Sequence, residues 1–437
     1  MKRGNDGQRP RTNKGLRSMK AGVVLTGAAL LASTAYHVAL ADSYQAQPRQ
    51  AVVSVERTPE DFAPVGIRLG AFNLLPEANL KEVYTDNVYR TQTSTKSDFI
   101  STVSPQLQLK SDWARHELNL LASADVYKYA SHTAENHEDL NLAGDFRVDV
   151  MKDINFYGGA AYRQLHEDRG SPNDAAGLSP GKFNVESTNL GYFHQFNQLN
   201  FRLDGRADNY TYADVATSTG IVRQVDRNRL DTIGSFRVGY DTLTGWEPFV
   251  RVSYVNSDYR TSRDRNGFIK DSHGYEAVGG TAFDLTGIWV GEAFVGYVHR
   301  DFEDSRFKSV DDPSFGLALV GNVTPLTSVN AVVNRTIGDT TVNGSAASTN
   351  TFYGLSADTE MRRNFVVGVG ANLLHSDFSG TSREDDVTTV STRAKYYFAR
   401  YFSVGPEIDY VTRDSQNSGG ANDYDNWIFI IRLTGRI

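Results

Sequence analysis

From residue 66 onward, apolar and polar side chains alternate in runs of about ten, broken by polar stretches. The clearest run is 139–150. Leu140, Leu142, Gly144, Phe146, Val148 and Val150 share one face, and Asp139, Asn141, Asp145, Arg147 and Asp149 share the other. Residues 199–208 repeat the pattern, with Leu199, Phe201, Leu203, Gly205 and Ala207 against Asn200, Arg202, Asp204, Arg206 and Asp208. A period of two marks a β-strand with unlike faces. Burial of both faces would leave each charge in an apolar interior in need of a partner. A tilted strand needs about 9–11 residues to cross a bilayer, which is the length of these runs.

The breaks are of two kinds. Eight are tight turns, near Asp112, Lys152, Gln198, Leu243, Thr286, Thr324, Arg362 and Arg400. Nine are longer stretches rich in Ser, Thr, Asn, Asp and Gly: 87–97, 130–137, 167–183, 211–227, 259–272, 301–312, 338–349, 377–385 and 413–424. Seventeen connections join 18 strands, and an even count returns the chain to the side on which it began. Outer-membrane barrels have short periplasmic turns and long extracellular loops. The long loops are therefore expected outside the cell and both termini in the periplasm. An open sheet edge in lipid would leave unsatisfied backbone groups costing several kcal/mol each, so the first strand must pair with the last. The expected fold is all-β, a closed antiparallel transmembrane β-barrel of about 18 strands. Sixteen is the alternative count, because strand one (66–84, broken by Pro76) and strand twelve (315–321) are the weakest. A β-propeller also repeats near 40 residues, but with four short strands and a blade motif per period, where this chain has two long strands.

Ahead of the barrel, Lys14, Arg17 and Lys20 precede an apolar run, 21–41, that ends in Ala39-Leu40-Ala41. This is the form of a secretory signal peptide over 1–41, with Met19 as a more compact start. An uncleaved membrane anchor is the alternative, weakened by Thr26, Ser33, Thr34 and His37. Residues 42–65, with Pro48, Pro59 and Pro64, read as a polar periplasmic lead-in to a barrel over 66–437.

Composition narrows the function classes. Apolar residues make up 40% and charged residues 22%, which hides a membrane wall because its two faces alternate. The net charge is −7, and segment 1–41 holds seven of the 45 basic residues and one of the 52 acids, so the rest is more acidic still. A basic stripe for nucleic acid is excluded. There is no cysteine, which removes disulfides, thiolate metal sites and Cys nucleophiles, and suits passage through an oxidising periplasm.

The inward faces carry charges of both signs. The expected pore-lining set is Asp139, Asp145, Arg147, Asp149, Arg202, Asp204, Arg206, Asp208, Arg237, Arg251, Arg393, Lys395, Glu407, Asp409, Arg432 and Arg436, with Asp231, Glu247, Asp358 and Glu360 beside them. Such a lining serves either a wet channel for hydrophilic solute or a wall cross-linked by ion pairs. No single-sign ring, which would argue selectivity, is visible. Tyr127, Tyr129, Tyr192, Tyr210, Tyr254, Trp289, Tyr297, Tyr396, Tyr410 and Trp427 near strand ends fit interfacial anchors, some of them alternatively a surface for sugar rings.

The chain is not expected to be an enzyme. Asp311-Asp312 and Asp385-Asp386 sit in or beside loops as solvated acids, and His375-Ser376-Asp377 falls short of an outer-membrane phospholipase motif. One constellation stands out, His-Glu-Asp at 137–139 and again at 166–168. In a hairpin turning at Met151-Lys152-Asp153, Val150 opposes Ile154, His137 faces Glu167 and Glu138 faces His166. Were the pleat lost at the rim, His137, Glu138, His166 and Glu167 would form a candidate divalent-cation site, carboxylates favouring Ca²⁺ and imidazoles Zn²⁺. Otherwise they form cross-strand His–Glu hydrogen bonds. No other cofactor is expected.

Two resemblances add to this reading. Trp427, Phe429, Ile431, Leu433, Gly435 and Ile437 alternate to the end of the chain, which resembles the C-terminal assembly signal of outer-membrane proteins, although that signal usually ends in an aromatic. It implies the barrel-assembly machinery as a partner, along with outer-membrane lipid and lipopolysaccharide. The second is carried by Asp86-Asn87-Val88-Tyr89-Arg90-Thr91, Ser97-Asp98-Phe99-Ile100, Val103-Ser104-Pro105, Ser111-Asp112-Trp113-Ala114-Arg115-His116, Tyr162-Arg163 and 166–172. Over 66–205 the chain resembles outer-membrane β-barrel porins found beside exopolysaccharide and capsule export genes. The resemblance implies a conduit or accessory porin in polysaccharide export, with polysaccharide and periplasmic export components as partners, and no catalytic residues. A surface enzyme on a barrel scaffold and a generic small-solute porin are the alternatives.

Overall fold

The computed structural model describes residues 58–437 except Leu243, Thr286 and 419–421. The expected signal peptide, residues 42–57 of the lead-in and the turn centres at Leu243 and Thr286 lie outside the described residues.

Each alternating run forms a strand. The first six are β1 (Phe72–Thr85), β2 (Asp98–Ser111), β3 (Glu117–Tyr129), β4 (His137–Met151), β5 (Ile154–His166) and β6 (Lys182–Phe196). Next come β7 (Leu199–Tyr212), β8 (Arg229–Tyr240), β9 (Trp246–Tyr259), β10 (Ser272–Leu285), β11 (Trp289–Phe302) and β12 (Val310–Thr324). The last are β13 (Thr327–Gly338), β14 (Ser348–Arg362), β15 (Phe365–Phe378), β16 (Glu384–Ala399), β17 (Phe402–Gln416) and β18 (Tyr424–Arg436). Each pairs antiparallel with the next, and β18 returns to β1 from Glu77↔Arg436 to Thr85↔Ile428. The described sheet has 19 strands, of which one is the three-residue Ile67–Leu69, so the closed wall has 18. Tight turns gather at one end of the barrel and the long loops, together with the small hairpin of Val215–Thr217 and Gly220–Val222, at the other.

The alternation has the sense that the sequence predicts. On β4, Leu142, Phe146, Val148 and Val150 are exposed on the outer surface, while Asp139 is buried. On β18 burial alternates without a break until Gly435: Trp427, Phe429, Ile431 and Leu433 point out, and Ile428, Ile430 and Thr434 point in. The outer band is apolar because its solvent is hydrocarbon.

Three details differ from expectation. β1 begins at Phe72, not at 66, because Gly70, at φ 61, sits in a two-residue turn that folds Ile67–Leu69 back as a hairpin. β12 runs from Val310, well beyond 315–321, paired with β11 alone as far as Phe315. At the β4–β5 turn a bulge after Asp149 sets Met151, not Val150, against Ile154, while the expected register holds from Asp149↔Asn155 to Leu140↔Gln164. With strands one and twelve both present, the 16-strand alternative falls.

Proline positions follow from hydrogen bonding. Pro lacks the N–H that a ladder needs. Pro105 and Pro406 lie at gaps in the β2–β3 and β16–β17 ladders. Pro76, Pro248 and Pro313 lie where one neighbouring strand is not paired: pairing with β18 starts at Glu77, pairing with β8 stops at Phe249 and pairing with β13 starts at Gly316.

The two faces should differ in mutational cost. Phe146→Arg places a cation on the lipid face and should cost about 2–4 kcal/mol near the midplane. Arg147→Ala removes a half-exposed lumenal partner of Glu117 and Asp149 and should cost under about 1 kcal/mol. Folded yields in detergent, read by heat-modifiable gel mobility, check the order; the reverse order would invert the wall.

Candidate functional site: a capped lumen

The lumen wall is held by ion pairs within and between its strands. Arg237 donates to Glu247 at 3.0 Å and Glu292 at 2.8 Å. Arg251 reaches Glu276 at 3.1 Å, Arg393 reaches Asp358 at 2.8 Å and Arg432 reaches Glu407 at 2.8 Å. Arg206 pairs with Asp208 at 2.6 Å and Arg147 with Asp149 at 3.1 Å. The Tyr157 hydroxyl donates to Asp204, Asn119 to the exposed Asp145, and Asp409 and Lys395 are buried among these groups. Of the expected pore-lining residues, Arg202, Asp204, Arg206, Arg237 and Arg251 line a cavity of about 450 Å³. The wall was legible as charged, but its arrangement was not. Register sets Arg202 opposite Arg237 and Arg237 opposite Arg251, a lateral row of one sign that the sequence does not display.

Chain segments meet the lumen wall at both ends. At the turn end the short helical turn Glu60–Phe62 enters the barrel, with Phe62 stacked on Tyr397 at 5.0 Å and its carbonyl accepting Arg436 Nη2 at 2.8 Å. At the loop end, segment 167–181 after β5 crosses the bore. Its Asn173 accepts the backbone N–H of Thr341 at 2.8 Å, from a loop eight strands away on an 18-strand ring, nearly opposite. The Gly170 carbonyl accepts Arg413 of β17 at 2.7 Å. A Cβ at Gly170 would lie 2.5 Å from the Tyr424 hydroxyl, so only glycine fits that crossing unshifted.

Buried charges tie the cap together. Arg169 grips Glu135 through two hydrogen bonds, 2.6 and 2.8 Å, and Arg227 grips Glu167 at 2.8 Å. Asp339 sits between Arg229 at 3.5 Å and Arg227 at 3.7 Å and accepts the Tyr259 hydroxyl at 2.7 Å. Lys270 donates to the carbonyls of Thr340 and Ser345. Sequence reasoning missed Arg227, Arg229, Lys270 and Asp339. Arg229 shares the inward parity of Asp231 and Arg237, a usable signal; the loop residues carry none, because loop crossings set their contacts.

The rim constellation is only partly as expected. β4 and β5 stop pairing beyond Leu140↔Gln164, and His166 turns inward to donate from Nδ1 to Asp139 at 2.9 Å. The His137 and His166 rings lie 3.7 Å apart, and His137 Nδ1 donates to the Glu135 carbonyl, leaving its buried Nε2 without a partner. Donor atoms of His137, Asp139 and His166 lie within 4.8 Å of one another. Glu138 instead points outward to Lys128 and Lys182, and Glu167 is held by Arg227 through one oxygen. The expected four-residue convergence is therefore absent, and Asp139 stands where Glu138 was expected.

The acid pairs are not dyads. Neighbours on a strand point to opposite faces. Asp311 faces out to Tyr297 and His299 while Asp312 pairs with Arg335; Asp386 faces out to His375 while Asp385 is buried against Arg383, Arg413 and Ser415. Asp385 is thus not the solvated acid that was expected. Tyr254, Tyr297, Tyr396 and Trp427 are exposed outside, but Tyr127 and Tyr210 are buried, the first stacked on His137 and the second under Arg229.

Two cap carboxyls respond to acid in opposite senses. Burial pushes Asp174 up to about 6, against the pull of Arg169. Burial also works to raise Asp339, but Arg229, Arg227 and Lys270 outweigh it and hold that carboxyl below its ordinary range. Closure should therefore tighten as pH falls from about 6 towards the ~3.9 of a free Asp, through Asp174, and loosen below it, through Asp339. Hydrogen-exchange protection of 167–181 and 339–347, corrected for intrinsic rates, should peak near pH 4–5, and Asp174→Asn should flatten only the upper limb. Monotonic loss of protection from pH 7 downward would contradict this. Asp339→Ala should strip protection from 339–347 at pH 7 while leaving the wall strands protected.

Solved structures match the chain at low similarity. OpdK from Pseudomonas aeruginosa is 10% identical, with a TM-score of 0.42 over 84% of this chain and 99% of that one. OpdL from the same organism is 12% identical, with a TM-score of 0.42 over 84% and 100%. The siderophore receptor PirA from Acinetobacter baumannii is 7% identical, with a TM-score of 0.42 over 83% and 80%. No curated protein matches the chain. The family model described as "Putative beta-barrel porin 2" matches residues 58–436, and the chain belongs to that family of outer-membrane porin barrels.

Proposed function

We propose that the protein is a passive outer-membrane conduit in exopolysaccharide export, with its long loops outside the cell and both termini in the periplasm. The observation that carries the conduit reading is the lumen: a closed wall of hydrogen-bonding and charged side chains around a cavity of about 450 Å³. A wall that needed only stability would be served as well by apolar packing, since buried ion pairs gain little over it. The saccharide part rests on the resemblance in 66–205 and on a lining that mixes serines with aromatic rings such as Tyr157 and Phe294. The orientation rests on loop length, short turns being periplasmic in barrels of this kind.

The cap makes this a gated conduit. Passage requires 167–181 and 339–347 to part; Asn173 hydrogen-bonds Thr341 directly, and Arg227 bridges Glu167 of the first segment and Asp339 of the second through ion pairs. A small-solute porin is the second reading, favoured by the cavity's size, which at ~30 Å³ per water is roughly fifteen waters.

Two measurements test the proposal. The absence of cysteine allows single-site labelling. Thr219→Cys in the β7–β8 loop should react with an impermeant maleimide on intact cells, and Asp153→Cys in the β4–β5 turn should not; the opposite result would reverse the orientation. In planar bilayers the wild type should show small, brief openings and Asp339→Ala longer ones. A silent bilayer for both would exclude a conduit.

A further inference from the structure

We infer that the lumen holds a binding site for an anionic solute, built on the row of Arg202, Arg237 and Arg251. The inference deepens the conduit reading by naming the charge of what passes.

The first observation is the charge of the cavity. The chain carries a net −7, yet ten Arg and Lys side chains line the cavity against six Asp and Glu. An acidic protein has concentrated its cations where solute would sit. The second is the row itself. Like charges directly opposite on neighbouring strands destabilise a sheet unless something neutralises them. Arg237 is neutralised by Glu247 and Glu292, and Arg251 by Glu276. Arg202 is not: it makes no hydrogen bond and no ion pair among the described residues, and it is 4% exposed. Its one close partner is the Phe193 ring, 5.6 Å away. The nearby acids are engaged elsewhere, Asp204 with Tyr157 and Glu276 with Ser314 and Arg251.

The third observation extends the row into a track. Through the register of β8 to β11, Arg300 stands level with Ile233, four positions from Arg237, roughly 13 Å along the strands at ~3.3 Å per residue. Arg300 donates only to Ser257 and Ser272, and Lys270 only to carbonyls, so neither has a carboxylate partner among the described residues. Cations with no directly bonded carboxylate among the described residues thus run from beneath the cap down one wall. A guanidinium fork matches a carboxylate or sulfate in two parallel hydrogen bonds. Ser253, Ser257, Ser272 and Ser314 line the same wall and suit hydroxyl groups. The chemistry fits an acidic saccharide, bound through its carboxylate or sulfate at Arg202.

The test uses the whole refolded barrel, with heat-modifiable mobility confirming folding of each variant. In a planar bilayer under a KCl gradient, the wild type should favour chloride over potassium, and Arg202→Gln should move the permeability ratio towards unity while Arg202→Lys retains it. In calorimetry, galacturonate should bind and galactose should not, and Arg202→Gln should raise the galacturonate Kd roughly tenfold, the loss of one charge-assisted hydrogen bond. If Arg202→Gln fails to fold, Arg300→Gln gives the same readouts on the upper part of the track. Conductance with no anion preference and no galacturonate binding would overturn the anion site and leave the conduit standing. Galacturonate binding that depends on Arg202, without any conductance, would overturn the conduit and leave the site.

Discussion

Lipid offers no hydrogen bonds, and every feature of this protein follows from that. A backbone group left unpaired in hydrocarbon costs several kcal/mol, so the sheet must have no edge. The seam of β1 with β18 removes the edge through nine paired positions, Glu77↔Arg436 to Thr85↔Ile428. The same demand explains the strand prolines, each placed where a ladder is already interrupted. Closure also fixes the interior: with lipid outside, polar side chains have only the lumen to occupy, and they must satisfy one another there.

They do so unevenly. Near the seam, Val83, Ile100, Tyr127, Val411, Ile428 and Ile430 pack inward as an apolar cluster. Across β7 to β11 the wall is instead lined with guanidinium groups, serines and rings. The open space lies under the cap, with the basic wall along one side of it.

Much of the wall was legible because the signal is local. Period two assigns the face of Leu142 or Arg202 from two neighbours in sequence, and the short turns fix hairpin register, so Leu140↔Gln164 follows from counting. Lateral and loop contacts are different. The Arg202–Arg237–Arg251 row needs the register of three strands at once. His166 meets Asp139 only because the pleat fails at the rim. Asp339 finds Arg229 because a loop crosses open space, and nothing in the residues around Asp339 encodes that crossing. The acid pairs show the converse: adjacency in sequence suggested shared chemistry, and the same period two that reveals the wall sends Asp385 and Asp386 to opposite faces.

The cap also carries information about time. Asn173 meets Thr341 across 168 residues of chain, and Arg413 meets Gly170 across 243. Contacts so distant in sequence form late, because the chain between them must first be ordered. Each needs the strands between its partners to be in place first. The cap is thus a late element of folding, set after the hairpins whose contacts are local.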